Sequence, residues 1–347
     1  MKPARRTILS VAYPFAEVGS GAVGGAEQIL GTLEKALVGR GFQSVVVAHA
    51  GSEVAGELLR VAVPDCMLSP EARAEVELMF QQAIDRAFAT RSVDLVHMHG
   101  IDFHRYRIPE HVPVLVTLHL PPAWYPTEIW DLPPNYQLQC VSESQRVACP
   151  VPAQQRLVVV ENGVPFPAFV ASRRGRGKYA VMLSRICAEK NLHVGIDAAR
   201  KADVPAILAG KVHPYPDHVR YFEEEIRPRL GKGARFVGPV EGEAKARLLS
   251  RARCLQIPSL AEETSSLVAM EALAAGTPVV ALASGAIPEI VEDGRTGFLV
   301  RDAESMATAI GRTGDIDSQV CREVARERFS ADAMVAQYLN LYAKLIG

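Results

Sequence analysis

The chain has 347 residues, 48% of them apolar and 22% charged, which excludes a peptide hormone, a disulfide-stapled module, a collagen-like chain and an intrinsically disordered one. Its 38 Lys and Arg against 39 Asp and Glu leave a net charge of −1, without the basic footprint of a dedicated nucleic-acid binder. Six cysteines, at 66, 140, 149, 187, 254 and 321, form no CxxC pair and read as reduced buried thiols of a cytoplasmic protein. The apolar segment after Lys2, Arg5 and Arg6 is too short for a signal peptide, and no window reaches the roughly 18 uninterrupted apolar residues of a stable membrane insertion.

In chain order, Val-, Ile- and Leu-rich runs alternate with amphipathic stretches, the pattern of a parallel sheet covered on both faces. The first series of strands is predicted at Thr7–Tyr13, Ser44–Ala48, Leu58–Val63, Asp94–His99, Val114–His119, Gln137–Val141 and Leu157–Glu161. Ala26, Ile29, Leu30, Leu33 and Leu37 follow helical spacing between the first two, with Gly41 as the stop. From Pro165 the periodicity breaks into PFPAFVASRRGRGK, read as a linker over 166–178. A second series follows at Ala180–Leu183, Ala206–Ala209, Arg235–Val237, Cys254–Ile257, Val279–Ala281 and Gly297–Val300. The fold class is therefore α/β, with two doubly wound Rossmann-like domains, 1–165 and 179–329, and a C-terminal helix over 330–347 packing back on the first. Residues 1–170 carry 13 cations against 17 anions and residues 171–347 carry 25 against 22, so the second half is the better host for an anionic ligand.

Gly19, Gly21 and Gly24 make a GxGxxG after the first strand. An NAD fingerprint is disfavoured because Pro14 to Val18 separate strand from glycine and the second strand ends in Ala48-His49-Ala50 without an acid for the ribose. A flexible loop remains one reading; the other has Gly24-Gly25-Ala26-Glu27 open a helix whose free N–H groups suit a phosphate or a sugar hydroxyl. In the second half Glu263 and Glu271 stand eight residues apart, about two helical turns, with Thr264, Ser265 or Ser266 as N-cap and Gly276 as stop. Carboxylates accept well from vicinal sugar hydroxyls, and a helix N-terminus between them suits a diphosphate; solvated helix charges are the alternative. Arg185 and Lys190 follow the first strand of this half, where open α/β sheets gather ligands, and two fixed cations there stabilise a departing diphosphate without a metal.

These residues, in order, resemble the retaining glycosyltransferases of the GT-B architecture, glycosyltransferase family 4. The resemblance runs through Gly24-Gly25-Ala26-Glu27, His97-Met98-His99, Thr117-Leu118-His119, Val141-Ser142-Glu143-Ser144, Glu161-Asn162-Gly163-Val164, Arg185 with Glu189-Lys190, and Glu263 with Glu271-Ala272 to Gly276-Thr277-Pro278. It implies a nucleotide-sugar donor held mainly by the second domain and an acceptor (a sugar, a glycolipid precursor or a small molecule) held mainly by the first, meeting in an interdomain cleft. Arg185 and Lys190 would hold the diphosphate, Glu271 the ribose, Glu263 the donor sugar, and the backbone at Ser266 and Leu267 further phosphate oxygens. Gly24 and Gly25 would approach the donor, His119 would be the active-site histidine, and Glu27 and His99 would lie on the acceptor side. Transfer would be metal-independent and need no cofactor, with UDP the favoured carrier and GDP and ADP as alternatives. A nucleotide-sugar epimerase of related fold and an inert nucleotide-sugar or glycan-binding protein are the rival functions. Thr264-Ser265-Ser266 stand where the family has Gly-Phe-Gly, Ser184 where it has Gly, and Pro165 where it has Asp, so the departures bear on the donor.

His97, His99 and His104 lack a carboxylate or cysteine at ligand spacing, so no metal site is assigned. Asp315-Ile316-Asp317 is read as a helix cap rather than a metal-binding DxD, His213 and His218 as solvent-exposed loop residues, and Trp124, Tyr125 and Trp130 receive no role.

Overall fold

The structure is a computed structural model that describes residues 5–19, 21–22, 24–64, 69–166, 177–231 and 233–347. They form two compact units, Met1–Asn162 together with Ala331–Gly347, and Gly163–Ser330. The linker reading falls largely on 167–176, outside the described residues, as do Cys66 and the cations Arg173, Arg174 and Arg176.

In the first unit β1 (Thr7–Val11), β2 (Gln43–His49), β3 (Glu57–Val61), β4 (Leu95–Met98), β5 (Val114–Leu118), β6 (Tyr136–Cys140) and β7 (Val158–Val159) form one sheet in the order β3-β2-β1-β4-β5-β6-β7. Its pairings are all parallel. A crossover between parallel strands puts helices on the faces, which is why β1 and the middle of β2 are buried along their whole length and read as unbroken apolar runs. Helix α1 (Gly25–Gly39) links β1 to β2 and buries Ile29, Leu30, Leu33 and Leu37. Its Glu34 is buried as well, held by the N–H groups of Ala55 (2.5 Å) and Gly56 (3.2 Å). Helix α2 (Pro70–Thr90) starts on the Ser69 hydroxyl, which accepts from Ala72 N–H, with Pro70 in the first turn where its missing N–H costs nothing. Two short helices, α3 (Glu143–Ala148) and α4 (Val151–Gln154), follow β6.

The second unit repeats the scheme. Its strands β8 (Ala180–Leu183), β9 (Ala206–Ala209), β10 (Ala234–Phe236), β11 (Cys254–Ile257), β12 (Val279–Leu282) and β13 (Gly297–Val300) take the order β10-β9-β8-β11-β12-β13. Helices α5 (Leu192–Lys201), α6 (Pro216–Tyr221), α7 (Gly242–Ser250), α8 (Leu267–Ala274), α9 (Ile287–Ile290), α10 (Ala303–Arg312) and α11 (Ser318–Arg328) connect and cover them. Two parallel-sheet Rossmann-like units are thus present, as the alternating pattern predicts. Gly276 ends α8 at φ +80, a left-handed conformation that calls for glycine. Asp317 caps α11 by accepting from Gln319 N–H, while Asp315 pairs with Arg312, which makes the DxD string a cap.

After α11 the chain returns to the first unit as α12 (Ala331–Ile346), whose Met334, Val335, Tyr338 and Tyr342 are buried. Its tyrosines carry hydroxyls into an apolar interior, where each needs a partner. Tyr342 meets His97 Nδ1 at 2.7 Å on β4, and Tyr338 donates to Gln139 Oε1 at 3.0 Å on β6. Thr117, on β5 between them, gives its proton to Gln139 Oε1 (2.7 Å), so it accepts from His97 Nε2–H (2.7 Å). His97 therefore carries its proton on Nε2, and Tyr342 donates to Nδ1. Tyr342→Phe leaves that nitrogen buried without a partner and is expected to destabilise the first unit by about 1–3 kcal/mol. Hydrogen exchange of the β4 and β5 amides measures it, and unchanged protection would contradict the role given to this bond.

Candidate functional site

A parallel sheet gathers ligands at the carboxyl ends of its strands, in the crevice where the strand order reverses. In the second unit that point lies between β8 and β11, and the two segments leaving it are tied together by Leu260 N–H donating to Glu189 O at 2.9 Å. Lys190 comes from the β8 side and Glu263 from the β11 side, and their Nζ and Oε1 are 2.5 Å apart. Both side chains are largely out of water, at 16% and 18% exposure, so each charge depends on the other. The backbone at Glu263 is fixed by Ala286 N–H, which donates to its carbonyl at 2.7 Å. The next residue toward the chain start, Gly285, has φ +54, and a Cβ there would stand 2.4 Å from that same carbonyl.

The Glu263 and Glu271 carboxylates do not share one helix. Helix α8 begins at Leu267, so Glu263 lies in the preceding loop and Glu271 in the helix, and each meets its own lysine. Glu271 is 7% exposed and pairs with Lys245 of α7 at 2.5 Å. Burial pushes its carboxyl above the ordinary range, and the Lys245 ammonium acts in the opposite direction. Lys245 is the partner that sequence reading missed; its only signal is a cation among small residues in Gly242–Ser250. Ser266 occupies the N-cap position of α8 and is buried, but its side chain makes no cap bond, and Leu267 is half-buried. Arg185 is more open, 45% exposed and 3.4 Å from Glu189.

In the first unit the corresponding reversal lies between β1 and β4. Gly24 is the N-cap of α1, and the Glu27 carboxylate folds back over it, so a Cβ on Gly24 would stand 1.9 Å from Oε2. Glu27 is a buried acid, which burial pushes up in pKa while its own backbone N–H pulls it down. His97, His99 and His119 form a ladder across the ends of β4 and β5. The His97 and His99 rings are 4.0 Å apart, and His99 Nδ1 lies 3.1 Å from His119 Nε2. Burial drives all three down in pKa, His119 to about 3, so each is a neutral imidazole near pH 7. His99 Nε2 is buried without a partner.

Asp102, just past β4, is a second group that sequence reading missed, though an acid shortly after a strand end in His99-Gly-Ile-Asp is a visible signal. Tyr106 O–H donates to its Oδ2 at 2.5 Å, Oδ1 is buried without a partner, and burial raises its pKa to about 6. Of the aromatics given no role, Trp124 is exposed, Tyr125 is buried, and Trp130 packs on the core. His213 and His218 are half-buried rather than exposed, and each has one buried ring nitrogen without a partner.

Residues 23–170 match the sequence profile described as Glycosyltransferase Family 4, and residues 177–314 the one described as Glycosyl transferases group 1. A phosphatidyl-myo-inositol mannosyltransferase of Mycobacterium tuberculosis is 28% identical over 212 residues, 55% of this chain and 54% of the relative. A D-inositol 3-phosphate glycosyltransferase of Nocardioides sp. is 41% identical over 106 residues, 30% of this chain and 22% of the relative. The chain thus spans about half or less of the length of these curated relatives. Among solved structures, sucrose-phosphate synthase from Thermosynechococcus elongatus superposes with a TM-score of 0.80 at 21% identity, covering 98% of this chain and 99% of that one. Anabaena HepE in complex with UDP and glucose gives 0.75 at 19% identity, with 97% and 99% covered.

Asp102 supplies a test of the first-unit electrostatics. Its folded pKa of about 6 lies above the 3.8 of an ordinary Asp, so the folded chain holds this proton more tightly. Its contribution is therefore fully present below pH 4 and is lost as pH rises through 6, opposite in sign to that of the buried histidines. Asp102→Asn, which still accepts from Tyr106, is expected to gain on the order of 2 kcal/mol over the parent at pH 7.5 and nothing at pH 4. Denaturant unfolding at both pH values checks it; an equal difference at the two would contradict the assignment.

Proposed function

The chain belongs to glycosyltransferase family 4, and on that premise we propose that it transfers a sugar from a nucleotide-sugar donor to a hydroxyl acceptor with retention of anomeric configuration and without a metal in the transfer step. The observation that carries this reading is the Lys190–Glu263 pair across the strand reversal of the second unit. A sugar diphosphate offers the two kinds of group such a pair recognises: phosphate oxygens for the ammonium and ring hydroxyls for the carboxylate.

In the proposed arrangement Lys190 and Arg185 hold the diphosphate, and the N–H groups at Ser266 and Leu267, opening the eight-residue α8, add further donors. Glu263 accepts from hydroxyls of the donor sugar. Glu271 accepts from the ribose, with the Lys245 ammonium beside it opposing the upward push of burial on its carboxyl. As the anomeric carbon–oxygen bond breaks, negative charge grows on the β-phosphate, and the two cations stabilise it from fixed positions. The acceptor oxygen bonds to the same face of the anomeric carbon, and its proton passes to the departing phosphate oxygen, so no protein base is required. His119, neutral and hydrogen-bonded to His99, is suited to orient the donor sugar rather than to act as an acid. Gly24 and Gly25, at the start of α1, are the backbone assigned to approach the donor, while Glu27 and the unpartnered His99 Nε2 are the acceptor-side groups. UDP is the favoured carrier; the named ligands of HepE, UDP and glucose, are consistent with it.

Label transfer from UDP-, GDP- and ADP-sugars to a panel of hydroxyl acceptors, in the presence of EDTA, tests the reading. Glu263→Gln keeps the shape of the side chain and is expected to reduce turnover by roughly two orders of magnitude or more. Lys190→Met is expected to do the same with a weakened affinity for free nucleoside diphosphate. Turnover close to that of the parent in either folded variant would overturn the assignment, and interconversion of the donor sugar without transfer would point to an epimerase.

A further inference from the structure

Cys187, Glu189 and His218 have no place in the transfer step, yet they converge. One ligand atom from each, the Cys187 sulfur, a Glu189 carboxylate oxygen and a His218 ring nitrogen, lies within 4.8 Å of the other two. They come from two separate segments, the turn after β8 and the helix α6, so the sequence spacing hides them. The thiol donates to the Arg185 carbonyl at 3.8 Å, a weak contact that metal binding would replace. An independent observation marks the other side of the cluster. His218 Nδ1 and His213 Nε2 are both buried without a hydrogen-bond partner, although imidazole nitrogens inside a protein ordinarily find one. The two rings stand 6.0 Å apart, with Tyr215 against both.

We propose that Cys187, Glu189 and His218 form a Zn²⁺ site, with the fourth position open to water or another small donor. The donor set selects the ion: a thiolate beside an imidazole and a carboxylate suits zinc, whereas Mg²⁺ and Ca²⁺ take oxygen ligands. In a tetrahedral site with bonds of about 2.0–2.3 Å the ligand atoms lie roughly 3.3–3.8 Å apart. The present separations close to that by side-chain rotation on the outer segment, where Glu189 is exposed and His218 half-buried. On binding, the Cys187 S–H bond breaks, the Zn–S bond forms, and the proton leaves to solvent; nothing is oxidised or reduced. Glu189 is also the partner of Arg185, so the ion competes with Arg185 for one carboxylate. The ion takes no part in the transfer chemistry, and its binding is read without a glycosyl acceptor or donor.

The full chain, reduced and freed of metal by a chelator, is titrated with Zn²⁺ against a chromophoric chelator, and with Co²⁺ as a spectroscopic stand-in. The expected result is one Zn²⁺ per chain and, with Co²⁺, a thiolate-to-metal charge-transfer band together with the intense visible bands of a tetrahedral ion. Cys187→Ser is expected to abolish the charge-transfer band. His218→Gln, on a six-residue helix at the surface, is expected to keep the fold and lower the Zn²⁺ affinity at least about tenfold, the loss caused even by removing partners outside a ligand set. Absence of zinc binding, a charge-transfer band that survives Cys187→Ser, or an unchanged affinity in folded His218→Gln would each overturn the proposal. A surviving band would instead direct attention to Cys140 and Cys149, whose sulfurs are 4.0 Å apart.

Discussion

Burial of parallel strands on both faces is the constraint on which the arrangement rests. A crossover must return the chain to the same end of the sheet for each new parallel strand, so the sheet interiors are left to Val, Ile, Leu and Ala, and polar chemistry collects where strands end. In the second unit that rule brings Lys190 and Glu263 together from the ends of β8 and β11, two strands adjacent in space but separated by about seventy residues of sequence. In the first it brings His97, His99 and His119 to the ends of β4 and β5. Neither set is defined by a local motif; each is defined by strand order.

The two units differ in the partners they give to buried polar groups. The second keeps charges and pairs them, Lys190 with Glu263 and Lys245 with Glu271. Such pairs contribute little net stability, because desolvation offsets much of their attraction, but removing one partner strands the other. They are accordingly suited to a ligand that supplies replacement partners, phosphate for the ammonium and hydroxyls for the carboxylate. The first unit also buries neutral imidazoles and tyrosines, and satisfies those of His97, Tyr338 and Tyr342 through the network from Tyr342 and His97 through Thr117 to Gln139 and Tyr338. A helix from the far end of the sequence thus completes the interior of the first sheet.

Much of this is legible from residue order alone. Continuous apolar runs mark the strands because both faces are covered, and the boundaries differ from the structure by one or two residues where strand ends fray into loops. The Gly24–Glu27 helix start and the Asp317 cap follow from rules of local chemistry. What sequence spacing misreads is partnership across segments. Eight residues between Glu263 and Glu271 suggest two turns of one helix, but α8 starts only at Leu267 and the carboxylates face different lysines. Lys245 escapes notice because nothing within α7 announces a carboxylate on α8. The Cys187, Glu189 and His218 group escapes for the same reason, since a three-ligand set split between a turn and a distant helix has no period.

The proposed role of the second unit as host of a nucleoside diphosphate is tested by unfolding the full chain with UDP, GDP, ADP and NAD, each in excess EDTA. A ligand at about 100 times its dissociation constant adds roughly 2.7 kcal/mol to the native state. A nucleoside diphosphate is expected to raise the unfolding transition of the second unit, NAD is not, and EDTA is expected to leave the shift intact. A shift with NAD alone, or none with any of the three diphosphates, would contradict that role.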